Sequence, residues 1–486
     1  MSLYARILGE LLIAERCVTS LCTAFTADSR KVQPHTGFAA IPGTVTDGHN
    51  FIPAALEKGA ALIVAEREVP LPPGTPLLLV KDAARAFALL CRESFGRPDE
   101  ALHLLGVTGT NGKTTTAFLL EHIFNFAKRP CGLVSTVEYR TGDTIIPGDR
   151  TTPDTATLYS LFARMKQNNL WGCAMELSSH SLVQHRAAGT AFDVGIFTNL
   201  TGDHLDYHGT MENYYQAKKQ LFEHYLAPHG TAVINCDDPW GERLFKEVGN
   251  KVKTLGFSTS EKGNCLLHGC QLENAGVKFR LTAPEWGEIA VSSNLSGEYN
   301  IRNLAGAVLA ALASGVEFSA IQQALARPVR VPGRLESFPL PGGGVAFVDY
   351  AHTDDALVNV LTAVRQITKG KLGVLFGAGG DRDRTKRPRM GKAAAENADR
   401  LYVTSDNPRS EEPRAIIDEI LSGIPQGVEL QVCLSRAEAI ARALEECGRG
   451  DSLVIAGKGH ENYQEIKGVK HPFSDIAEIQ DFMRRK

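Results

Sequence analysis

The sequence predicts an α/β chain of three domains, and two observations carry that reading. Short, fully apolar runs of strand length recur between amphipathic stretches of helix length, the pattern of largely parallel sheets covered on both faces. The 486 residues also divide at two punctuation points, Gly96-Arg97-Pro98-Asp99 and Val329-Arg330-Val331-Pro332-Gly333, giving units 1–98, 99–330 and 331–486, each within the usual domain range of roughly 50 to 250 residues. Composition agrees: 43% hydrophobic and 22% charged excludes the disordered and coiled-coil classes. A net charge of −3 leaves no global positive field for a polyanion, so nucleic acid is not an expected partner and anionic ligands must meet local basic clusters.

In the first unit, residues 1–16 read as a helix without a signal for secretion, because Glu10 and Glu15 interrupt the apolar residues. The run 60–65 suits a buried strand, and a proline-rich loop precedes a strand at 77–80. No run approaches the roughly 18 uncharged apolar residues of a membrane span, so no membrane insertion is expected. In the second unit, runs 102–107, 173–177, 194–197 and 231–234 read as buried strands of a parallel sheet. In the third, strands at 345–348, 372–376, 401–404 and 453–456 each end in a polar or glycine-rich cluster: Asp349-Tyr350-Ala351-His352, 377–387, Asp406-Asn407-Pro408-Arg409 and Gly457-Lys458-Gly459-His460-Glu461. Open α/β sheets bind ligands just beyond the carboxyl ends of their strands, so four such clusters predict a site. The ten cysteines contain no C-x-x-C pair and read as buried, reduced thiols of a cytoplasmic protein.

Residues 104–116, LLGVTGTNGKTTT, read as a strand, a glycine-rich loop and a helix start, in that order. Backbone N–H groups from Gly109 to Thr115, with Thr110 and Asn111 between the glycines, can close on phosphate oxygens, and the helix N-terminus adds positive potential. Lys113 supplies a point charge and Thr114 a hydroxyl for Mg²⁺. The usual spacing places glycine where Val107 stands, so this is a variant of the phosphate loop.

That loop, with TTP at 151–153, MELSSHSLVQHR at 175–186, TNLTGDHLDYHG at 198–209 and DNPR at 406–409, resembles the Mur ligases, and within them the branch that adds meso-diaminopimelate. The resemblance covers all three units. It implies an N-terminal domain for the UDP end of the substrate, a central P-loop ATPase-like domain, and a C-terminal Rossmann-like domain for the amino acid. The implied reaction is ATP-dependent amide synthesis on UDP-N-acetylmuramoyl-L-alanyl-D-glutamate through an acyl phosphate, in peptidoglycan synthesis. It also implies Thr114, Glu176, His204 and a carbamylated Lys218 at magnesium, with Lys113, His204 and Lys218 catalytic. Imidazole is an unusual magnesium ligand, so His204 can equally act through water or orient a neighbour. Asn300, Arg334 and Asp349 match positions at the ATP. Ser29, Thr44, Val45, Thr46, Thr151, Thr152, Ser178, Gln184 and Arg186 match positions at the UDP-sugar peptide.

Diaminopimelate differs from lysine by one carboxylate, so its pocket needs a fork-shaped cation and an acidic partner for the far amine. Arg409 offers the fork and Glu461 the acid, with Arg387 for the other carboxylate and Asp406, Asn407, Pro408 and Gly457 around them; these too are family positions. Asp-Asn-Pro also reads as the turn starting a helix at 411–421. A lysine-adding Mur ligase, a folylpolyglutamate synthetase-like ligase and a catalytically silent nucleotide-binding regulator remain the alternatives. A monomer is the default.

Overall fold

The computed structural model of the chain describes residues 2–19, 21–43, 46–273, 276–295 and 297–485, and of Glu273 the backbone alone. Three main sheets follow one another along it. The first has the order Leu12–Arg16, Leu77–Val80, Leu62–Ala65, Thr36–Ala39, Ala24–Thr26, parallel except for its first strand. The helix expected over 1–16 therefore holds for Leu3–Leu8, followed by a 3₁₀ turn over Gly9–Leu11. Gly9 turns out of it at φ 52°, and Leu12–Arg16 pairs antiparallel with the buried strand Leu77–Val80, whose unpaired edge outweighs the local helical pattern.

Among the described residues the second sheet has eleven strands. Its parallel centre runs Cys131–Val134, Gly172–Glu176, His103–Thr108, Phe192–Phe197, Leu226–Asn235, Lys253–Ser258, and the four strands expected from sequence lie in it. Cys265–Glu273 joins Lys253–Ser258 in parallel, and antiparallel strands then extend both edges, Gly276–Ala283 and Gly287–Ser293 on one side, Glu138–Arg140 and Ile145–Pro147 on the other. The alternating burial of Gly276–Ala283 is the mark of a sheet with one wet face. Helices Lys113–Phe126 and Glu298–Ala313 cover one face. On the other, Thr155–Gln167 packs against Ala83–Ser94 of the first unit, so Phe87, Leu90, Tyr159 and Phe162 belong to one continuous apolar core.

The third sheet runs Glu336–Pro339, Val345–Asp349, Ser452–Ala456, Leu372–Phe376, Arg400–Thr404, Glu429–Cys433, parallel after the first strand. Parallel strands put all their carboxyl ends at one edge, which gathers the four polar clusters. Its two cores contain residues of the third unit only. The helix expected at 411–421 starts at Pro413, with Glu412 at its N-cap. All ten cysteines are free, but Cys17 and Cys270 are exposed and Cys22 and Cys433 only partly buried, so the expectation of burial fails for those four. Among the described residues no helix is long and apolar enough to cross a membrane.

Because Phe162 is fully buried in the core shared by the first two units, Phe162→Ala should cost about 3 to 5 kcal/mol. Urea unfolding followed by far-UV circular dichroism measures it, and a loss below about 1 kcal/mol would mean the two units do not share that core.

Candidate active site

A cavity of 620 Å³ opens where the carboxyl ends of the second and third sheets face each other, and its wall runs from the glycine-rich loop to Lys470. Strand His103–Thr108 delivers the loop and helix Lys113–Phe126 leaves it. Gly112 sits at φ 86°, and a Cβ there would lie 2.3 Å from Asn303 Oδ1, so no other residue fits this turn. Lys113 Nζ donates to the carbonyls of Gly109 at 2.9 Å and Thr110 at 2.7 Å. Thr110, Asn111, Gly112, Thr114 and Thr115 also line the cavity; Gly109 does not.

Behind the loop, Lys218 is buried on helix Met211–Gln220. Its Nζ donates to Gly109 O at 2.7 Å and lies 4.5 Å over the Tyr214 ring. Burial, then the neighbouring charge of Lys113, push its amine well below the ordinary lysine value. That raises the neutral fraction which reaction with carbon dioxide requires. Glu176, fully buried at the end of Gly172–Glu176, accepts from Thr136 N at 2.8 Å, with Thr136 Oγ1 3.2 Å from its other oxygen. Burial pushes the His204 imidazole down to about 3, so it is neutral, and its Nε2 lies 3.4 Å from Asp203 Oδ2. Among the described residues no three His, Cys, Asp or Glu are placed to hold a metal together. One carboxylate and one hydroxyl, with phosphate oxygens and water, is nevertheless what magnesium ordinarily takes, so Glu176 and Thr114 fit it better than His204.

The third unit meets the second through polar contacts. Arg334 donates to Thr114 Oγ1 at 3.0 Å, Asn111 to Asp355 Oδ2 at 2.8 Å, and His460 Nε2 lies 3.2 Å from Thr136 O. Asp203 faces Lys386 Nζ at 3.8 Å and His352 Nε2 at 3.9 Å. Burial works to raise this carboxyl, yet His352 and Lys386 facing it hold it well below the usual carboxylate range. Asp349 accepts from Leu335 N and Ala351 N, fixing the start of the third unit, while Asn300 Oδ1 accepts from Asn303 Nδ2 at 3.0 Å.

At the far end of the cavity, fully buried Lys458 donates to Asn407 Oδ1 and Glu461 Oε2, both at 3.0 Å, and Asn407 Nδ2 donates to the same Glu461 oxygen at 2.9 Å. Burial works to raise Asp406, while Lys458 and Arg436 hold it below its usual range. Arg436 and Asp475 form a fully buried pair whose guanidinium also reaches the Ala456 carbonyl. Arg409 has φ 51°; its Nη1 donates to Gly380 O at 2.6 Å. Its backbone is pinned by Glu465 O and Lys467 N of the hairpin that closes the pocket.

Three further sets of candidate residues lie outside this cavity. Arg387 is fully buried, paired with Glu411 and Glu419 at 2.8 Å each, and does not line the cavity. The arginine of that run which lines the cavity is Arg382, in the loop ahead of helix Lys386–Asn397. Second, Ser29, Thr46 and Gln184 do not line this cavity, whereas Thr151, Thr152, Ser178 and Arg186 do; Thr44 and Val45 lie outside the described residues. Third, Pro408 is buried beside the pocket, not in its wall. Ser178 also caps helix Ser179–Val183, accepting from Ser181 N. Sequence reasoning missed Thr136, Asp203, His352, Lys386 and Lys458. For all of these but Thr136 the available signal was a charged or titratable residue inside a motif or cluster already singled out.

Three family models match the chain: "Mur ligase family, catalytic domain" over residues 22–90, "Mur ligase middle domain" over 107–311 and "Mur ligase, glutamate ligase domain" over 333–459. The chain is 43% identical over 458 residues to an Aquifex aeolicus protein named UDP-N-acetylmuramoyl-L-alanyl-D-glutamate–2,6-diaminopimelate ligase, covering 94% of this chain and 93% of that one. A Geobacter metallireducens protein of the same name is 41% identical, covering 93% and 92%. A solved structure of a ligase of that name superposes with TM-score 0.67 at 34% identity, over 96% of this chain and 95% of that one. The fold is also that of a Thermotoga maritima MurF ligase in complex with ADP, with TM-score 0.62, 22% identity and coverage of 95% and 97%.

Burial pushes His208 and His460 down to about 4. Between about pH 6.5, the unfolded value, and pH 4 the unfolded chain therefore binds protons that the fold refuses, so stability rises with pH across that window. Urea unfolding at pH 7 and pH 5 should show the loss on acidification, and His208→Asn should reduce it; an unchanged pH dependence in that variant would exclude His208 as a contributor.

Proposed function

The chain belongs to the Mur ligase family, and from that premise we propose that it joins meso-diaminopimelate to UDP-N-acetylmuramoyl-L-alanyl-D-glutamate, consuming ATP, in peptidoglycan biosynthesis. The observation that carries the choice of amino acid is the cavity end where Arg409 and Arg382 stand with Glu461, in a chain 41 to 43% identical to ligases named for this reaction. The division of labour follows the units 1–98 for the UDP end, 99–330 for ATP and 331–486 for the amino acid. The free thiols suit a cytoplasmic enzyme, which we take to be a monomer.

The substrate carboxylate attacks the γ-phosphorus of ATP, ADP leaves, and the amine of diaminopimelate then attacks the acyl phosphate and expels inorganic phosphate. Two anions must approach in the first step, so the task of the protein is to supply positive potential where they meet. Lys113 exchanges the Gly109 and Thr110 carbonyls for phosphate oxygens, and the N-terminus of Lys113–Phe126 adds its dipole. Arg334, already at Thr114 from the third unit, brings a second cation to the same place as the cavity closes. Thr114 and Glu176, with His204 on the same cavity wall, would hold the magnesium, which would supply charge to screen the phosphate oxygens. Carbamylated, Lys218 becomes an anion behind the loop. Thr151, Thr152, Ser178 and Arg186 present hydroxyls and one guanidinium to the peptide end of the UDP substrate. Arg409 takes the distal carboxylate of diaminopimelate and Glu461 the distal ammonium, with Arg382, which lines the cavity, for the other carboxylate expected at Arg387.

Phosphate release and product mass with ATP, magnesium and the UDP-dipeptide, comparing meso-diaminopimelate, L-lysine and no amino acid, test this reading. Tripeptide formation with diaminopimelate alone is expected; preference for lysine would overturn the choice of amino acid, and no product at all would overturn the ligase. Arg409→Ala should raise the KM for diaminopimelate at least about tenfold, the loss of one charged hydrogen-bonded contact. Lys113→Ala should abolish product while leaving the fold intact, and retained turnover would contradict the role of the loop.

A further inference from the structure

Resting on the ligase reading, we infer that His460 is a positioning residue that links the amino-acid pocket to Glu176: the loop carrying Glu461 sets the orientation of the Glu176 carboxylate by gripping Thr136 across the interface. Three contacts make the chain. Glu461 is fixed by Lys458 and Asn407, and the residue before it, His460, crosses the seam to place Nε2 3.2 Å from Thr136 O. A carbonyl can only accept, so Nε2 carries the proton. Thr136 in turn holds both oxygens of Glu176, one through its N–H at 2.8 Å and one through its hydroxyl at 3.2 Å, and the same hydroxyl lies 3.1 Å from Thr151 Oγ1. A buried carboxylate thus has its bonds from a residue whose carbonyl is held by the other domain.

A second contact makes the link to the phosphate end double. Gly333 has φ 64°, and a Cβ there would lie 2.3 Å from His460 N, so the linker between the domains rests directly on this loop. The next residue, Arg334, donates to Thr114. One loop therefore touches, at one remove, both groups assigned to the magnesium, Thr114 and Glu176. Seating the amino acid against Glu461 steadies the carboxylate and hydroxyl that serve the phosphoryl group, which ties readiness for phosphoryl transfer to the presence of the acceptor.

The alternative is that His460 only packs, since its ring lies 5.3 Å from that of Tyr350. His460→Phe keeps the ring and removes the donor, while His460→Gln keeps an N–H of similar reach. In the full-length enzyme, His460→Phe should lower kcat about five- to tenfold, the scale of one lost hydrogen bond, and raise the half-saturating magnesium concentration, with the KM for diaminopimelate within about twofold of wild type. His460→Gln should restore both. Wild-type kcat and magnesium dependence in His460→Phe, or a rise confined to the KM for diaminopimelate, would overturn the link, as would failure of His460→Gln to rescue. Absence of product from the wild-type enzyme would overturn the ligase reading first, and is distinguishable because no variant is needed to see it.

Discussion

Asp203 is the contact on which the site depends. It belongs to the second unit, is almost fully buried, and faces Lys386 and His352 of the third. The apolar cores of the third unit end within it, so what joins it to the nucleotide loop is this cluster together with Arg334–Thr114, Asn111–Asp355 and His460–Thr136. A polar seam can part without exposing apolar surface, because water replaces the lost hydrogen bonds at little net cost. The first unit is bound differently, sharing a continuous apolar core with the second. The first junction is thus apolar and the second polar, and the cavity lies along the second.

The chemistry follows from that placement. Neither the glycine-rich loop nor the strand ends of the third sheet make a site alone: the loop offers cations and backbone donors for phosphates, and the strand ends offer arginines and an acid for an amino acid. Their meeting requires the seam. Lys113 and Lys218 both donate to the Gly109 carbonyl, so two amines crowd one loop whose helix dipole is also positive, an arrangement that favours anions.

Much of this was legible in the sequence. The loop at 109–115 and the four polar clusters stood out because each follows a run of fully apolar strand residues, and a parallel sheet then gathers such ends without further information. The arginine run 379–389 was not resolved, because sequence gives no phase there: Arg387 falls on the buried face of a helix and meets Glu411 and Glu419, whereas Arg382 stays in the loop facing the cavity. The strand at Leu12–Arg16 was read as helix because its partner, Leu77–Val80, lies far along the chain. Asp203 and Thr136 went unread for the same reason: their roles are set by partners from another domain.

A double-mutant cycle across the seam tests this account most directly. kcat would be measured for wild type, Asp203→Asn, Lys386→Met and the double variant. If the buried pair acts as one unit across the interface, the double variant loses little more than the worse single variant. If the losses simply multiply, the two residues act independently and the seam does not assemble the site as described.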